Sequence, residues 1–90
     1  MRDELFEKCV DVAYNNLAEK EVLIKIRRAK PEMNRSHYYS RFKVDFASLN
    51  AAGTEPVNQR CIVIRIESHT GETSVDPDTR CEDIKDIDQT

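Results

Sequence analysis

The side chains here with chemistry to offer are two histidines, three cysteines, an acidic run near the end and a band of cations in the middle. His37 heads an alternating segment and His69 lies among turn-forming residues. Neither has an Asp, Glu, Ser or Cys at the spacing of a dyad or triad, so no catalytic residue is expected and the chain reads as a non-enzyme. Gly53 and Gly71 are the only glycines, which leaves no phosphate-cradling loop and no expected cofactor. Cys9, Cys61 and Cys81 are odd in number and lack a C-x-x-C pair, so they read as reduced thiols of a cytoplasmic protein. With the histidines they are too scattered for zinc. "DPDTRCEDIKDI" opens like a calcium loop at Asp76 and Asp78. Arg80 then takes a ligand position, no glycine follows, and Ile87 replaces the closing Glu, so no metal site is expected.

The cations are the stronger signal. In "SHYYSRFKVDFASLN", Tyr38, Phe42, Val44 and Phe46 share one parity, while Tyr39, Arg41, Lys43 and Asp45 share the other. That is a strand with an apolar face and a cationic face. The same alternation assigns Leu23, Lys25 and Arg27 from an earlier segment, and Cys61, Val63, Arg65 and Glu67 from a later one, to the second face. Net charge is −3 overall but segregated: −3 over residues 1–19, +6 over 20–43, zero over 44–66 and −6 over 67–90. Such segregation marks a surface for a partner, or an acidic tail that folds back over a basic face.

These residues need elements to hold them. Ninety residues make one domain near the small end of self-sufficient cores. No apolar run approaches the roughly 20 residues that span a bilayer, and the carboxylates in "MRDELFEK" do not suit a secretion signal. Leu5, Phe6, Cys9, Val10, Val12, Ala13 and Leu17 recur at helical steps, predicting an amphipathic helix over 3–19 unless Asn15 and Asn16 end it early. "EVLIKIRRAKP" is β-branched and alternating, which favours a strand with Val22, Ile24 and Ile26 inward; continuation of the helix to Ala29 competes, and Pro31 ends either. Residues 37–49 form the long strand, and "RCIVIRIES" alternates again with Ile62, Ile64 and Ile66 inward. Gly71 then turns the chain into a short strand at 73–75. The expected architecture is α+β, a helix on a three- to four-stranded antiparallel meander. One domain fills residues 1–76, and 77–90 form a flexible acidic tail.

The layout over roughly residues 3–76 resembles cystatin-like and PepSY-type small domains, in which a helix precedes a curled antiparallel sheet. "CIVIRIESHTGETSVD" resembles the strand, "TGE" turn and short strand that close PepSY domains. The chain lacks a cystatin-type Q-x-V-x-G segment, so protease inhibition is not carried over.

The expected function is binding. Leu23, Lys25, Arg27, Tyr39, Arg41, Lys43, Val63 and Arg65 mix aliphatic, aromatic and arginine character, as protein interfaces do. The reading is a protein-binding inhibitor or regulator, in the manner, by analogy, of small phage proteins that block host machinery, or a self-associating adaptor with a homodimer favoured. The alternative is a single-stranded nucleic-acid binder with Tyr39 stacking bases and the cations on phosphates. Intramolecular cover by the acidic tail stands level with the protein interface.

Overall fold

In the computed structural model, which describes residues 3–87, Asp3 opens helix α1 (Glu4–Asn15) by accepting the Phe6 amide N–H at 3.1 Å. Four strands follow: β1 (Glu21–Asn34), β2 (His37–Leu49), β3 (Pro56–Glu67) and β4 (Thr73–Asp76). They form one antiparallel sheet in the order β1-β2-β3-β4, with α1 packed on one face. The α+β meander is thus the fold. A single 3-10 turn at Cys81–Asp83 comes after it.

The helix ends at Asn15, earlier than 19. The Asn16 side chain donates to the Val12 carbonyl at 2.8 Å, competing with the helix for its own backbone acceptors. Residues 21–34 are strand, and Pro31 does not stop them. β1 is at the edge of the sheet, and its pairing with β2 shifts register between Ala29 and Glu32, so the proline sits in a bulge where no ladder N–H is required. Beyond Pro31 the strand runs on into a hairpin closed by Arg35 and Ser36, with Arg35 in the left-handed region at φ 57°.

Parity holds through β2 and β3. Phe42, Val44 and Phe46 meet Ile64, Ile62 and Arg60 in register. With Cys9, Ala13, Ile64 and Ile66 they make the core, against which Leu5, Val12, Leu17, Leu23, Ile26, Ile62 and Val75 pack. Burial pushes the Cys9 thiol up to about 12.

Parity fails in β1. Leu23 pairs with Phe46 but Lys25 pairs with Asp45, so Ile24 is an extra residue. A bulge of one residue moves every side chain on one side of it to the opposite face. Leu23, expected on the open face, therefore packs in the core. Ile24, expected in the core, is 47% exposed.

At one end of the core, the Glu21 carboxylate accepts from Arg60 Nε at 2.7 Å and Nη2 at 2.8 Å, and from the Ala18 N–H at 2.9 Å. The Arg60 guanidinium lies 4.5 Å over the Phe46 ring. Its hydrogen bonds hold the Glu21 carboxyl down to about 2, against 4.5 for a free glutamate. A carboxyl lowered in the folded state stabilises the fold fully above its unfolded pKa. That contribution fades as pH falls from about 4.5 towards 2. Unfolding followed by circular dichroism should show an acid limb in this window, shallower in Glu21→Gln. An unchanged limb would mean that the pair contributes nothing.

Candidate functional site

The cationic face exists and is largely occupied by the chain itself. In-register triplets place Lys25, Asp45 and Cys61 side by side, then Arg27, Lys43 and Val63, then Ala29, Arg41 and Arg65. After β4, Asp76 accepts the Asp78 N–H at 3.0 Å and the Thr79 hydroxyl at 2.6 Å, turning the chain back across this face. Cys81 is bonded to Cys61. Ile84, 6% exposed, packs on Ala29 and Val63. The Lys30 N–H donates to the Lys85 carbonyl and the Ile87 N–H to the Arg28 carbonyl, both at 2.9 Å, so the segment finishes alongside the β1 edge. Asp86 Oδ1 lies 2.9 Å from the Lys43 ammonium, and Oδ2 lies 3.8 Å from Arg27. The Lys43 contact, helped by Arg27 and Lys25, lowers the Asp86 carboxyl.

This strap corrects two expectations. Cys61 and Cys81 are a disulfide rather than reduced thiols, because β3 presents Cys61 outward where the returning chain brings Cys81. The inference from free thiols to a cytoplasmic location loses its basis with them. The boundary at residue 76 is also too early, since residues 81–87 pack on the sheet; the end of the expected tail, 88–90, lies outside the described residues.

The eight residues expected to bind a partner therefore separate. Leu23 is half-buried against the helix-side core, Val63 is fully buried beneath the strap, and Lys43 is 6% exposed. Arg27 is held by Asp45 at 3.1 Å. Arg41 Nε donates to the Lys30 carbonyl at 2.8 Å. The Arg65 guanidinium stands 5.1 Å over the Tyr39 ring and 3.8 Å from Glu32. Lys25 remains exposed.

Two features lie at or beyond the end of the strap. A 12-residue helix is only about 18 Å long, whereas strands of 14 and 13 residues run to roughly 45 Å, so the β1–β2 hairpin projects past it. There Met33 and Tyr38 are cross-strand partners, 68% and 39% exposed. Tyr38 also lines a small cleft with Pro31, Ile87, Arg28 and Arg41. In the sequence Tyr38 read as part of the apolar face and Pro31 as the end of an element, and Met33 did not stand out.

The second feature is a polar cleft of about 170 Å³ on the cationic face at the same end, lined by His37, Tyr39, Arg65, Glu67, Thr70 and Glu72 among others. Glu67, 7% exposed, accepts through Oε2 from the N–H groups of His69 (2.9 Å) and Thr70 (2.7 Å) and from the Thr70 hydroxyl (2.9 Å). The Thr70 and His69 hydrogen bonds lower its carboxyl. In the sequence Glu67 registered only as a member of the second face.

Among the described residues no group of three or more His, Cys, Asp and Glu is placed to hold a metal ion. No described helix is long and apolar enough to cross a membrane. Comparison with protein-family models, curated proteins and solved structures finds no match. None of these comparisons supports the resemblance to cystatin-like and PepSY-type domains expected from the sequence.

Proposed function

We propose that the chain is a non-enzymatic protein-binding module whose contact surface is the projecting end of the β1–β2 hairpin. The observation that carries this is the exposed pairing of Met33 with Tyr38 beside Pro31, Ile87, Arg28 and Arg41. Tyrosine, methionine and arginine are the residues enriched where interfaces concentrate their affinity. Held on a paired hairpin, they are ordered before a partner arrives, which reduces the entropy lost on docking. An inhibitor or regulator works this way, placing a rigid projection against another protein; a second copy of this chain is the competing occupant.

Single-stranded nucleic acid is less favoured. Lys43, Arg27 and Arg65 already have carboxylate partners, and the Tyr39 ring has Arg65 over it. Phosphates would have to displace those partners, and a base would have to displace the guanidinium.

The test compares wild type with Tyr38→Ala and Met33→Ala in nuclease-treated pull-downs from the native host, with sedimentation at micromolar concentration. Each variant should lose about tenfold or more in affinity for the captured protein, as hot-spot truncations do, while stability stays within about 0.5 kcal/mol. Undiminished capture by both variants would move the interface elsewhere. Tight, salt-sensitive binding of single-stranded RNA would favour the nucleic-acid reading. Self-association abolished by Tyr38→Ala would identify the occupant as a second copy.

A further inference from the structure

We propose that the polar cleft at Glu67 is a receptor for a primary ammonium group, the head of a lysine side chain presented by the bound protein. The identity of that protein rests on the function proposed above; the cleft's chemistry does not.

Glu67 has two oxygens in different circumstances. Oε2 is saturated by three donors from the turn after β3. Oε1 is buried and, among the described residues, has no hydrogen-bond partner; His37 Nδ1 lies 3.8 Å away. A buried carboxylate oxygen without a donor is costly, so a ligand that brings one recovers that cost on binding. The charge around the cleft sets the sign of the ligand. Arg65 is the cation in the lining; its guanidinium stands 3.8 Å from Glu32 and in the field of Asp76, and its Nε is buried without a hydrogen-bond partner among the described residues. Glu67 and Glu72 leave the lining net negative, which suits a cation.

Geometry chooses among cations. A guanidinium binds a carboxylate best through both oxygens in parallel, and Glu67 has one to offer. An ammonium is a compact point charge with three donors that need not be coplanar. One donor suits Oε1, while Glu72 and the Ser74 hydroxyl, which also line the cleft, stand as further acceptors. At about 170 Å³ the space fits one side-chain head and falls short of the 300 Å³ or more typical of small-molecule pockets. The cleft opens at the end of the sheet that carries Met33 and Tyr38, since His37 adjoins Tyr38 on the opposite face. A protein gripping the hairpin end can therefore reach it with one side chain.

The test titrates isotope-labelled protein with n-butylammonium and, at equal ionic strength, with butyltrimethylammonium, which has the same charge and no N–H donor. The primary amine should give saturable shifts at the His69 and Thr70 amides and bind about tenfold tighter than the quaternary one. Glu67→Gln should weaken it by about tenfold. If that variant loses its fold with its turn, Glu72→Gln, on an exposed side chain, should weaken binding a few-fold. Equal binding of both amines, shifts that do not saturate at these amides, or full affinity in a folded Glu67→Gln or in Glu72→Gln would overturn the proposal. The titration uses no protein partner, so its failure leaves the hairpin reading standing, and failure of the hairpin variants leaves the titration standing.

Discussion

Replacing Phe42 with alanine should lower the free energy of unfolding by about 3–5 kcal/mol. The ring is 1% exposed and sits in the middle of β2, opposite Ile64 and against the helix-side core. Its loss opens a cavity where two interior strands hold the walls apart, so the neighbours can close only part of the gap. The Arg28 guanidinium, 5.1 Å over the ring and 3.0 Å from Asp3, also loses its aromatic support, loosening a tie between β1 and the helix N-terminus. Urea unfolding with an unchanged slope is the measurement, and Val57→Ala, at a 53% exposed site, is the control within about 0.5 kcal/mol. A loss under about 1 kcal/mol at Phe42 would contradict the packing described.

Removing the Cys61–Cys81 bond should cost about 3 kcal/mol, as in Cys81→Ser. The bond spans 20 residues of sequence, and a loop of roughly that size restricts the unfolded chain by about this amount. Under reductant the wild type should fall to the level of the variant. The loss should also be local: the amides of Lys30 and Ile87, which pair the strap with β1, should exchange faster with solvent, while amides in the centre of β2 change only with global stability. Equal stability of wild type and variant under oxidising conditions would show that Ile84 and Asp86 hold the strap unaided.

The difference between what could and could not be read from the chain follows from how each contact is encoded. Phe42, Val44 and Phe46 alternate with Arg41, Lys43 and Asp45 because β2 is an interior strand paired on both sides, and the extra residues of the β1–β2 pairing fall on β1, so period two survives intact in β2. Ile24 and Pro31 belong to an edge strand, which is free to bulge towards solvent. An extra residue there leaves the composition unchanged while exchanging Leu23 for Ile24 in the core, and nothing local announces the exchange. The strap was legible only as one of two possibilities. Its acidic residues matched the basic face in sign. Its apolar anchors, Cys81 and Ile84, follow no period, because the segment is fixed by its contacts with β1, β2 and β3 and not by any repeating structure of its own. The hairpin end was hidden for a further reason. Tyr38 keeps the apolar parity of Phe42, Val44 and Phe46, Met33 lies beyond the proline expected to end β1, and the shortness of the helix leaves both uncovered.

The layering of the molecule also decides which thiols can meet. Cys9 lies in the helix-side core, whereas Cys61 and Cys81 are on the far side of the sheet, so the sheet and its packed side chains separate the odd cysteine from the other two. Once β1, β2 and β3 have paired, mispairing with Cys9 would require the meander to come apart. Cys81 follows all four strands in the chain and meets Cys61 on the face opposite the helix. Oxidative refolding should accordingly give one isomer, with the sheet acting as the proofreader.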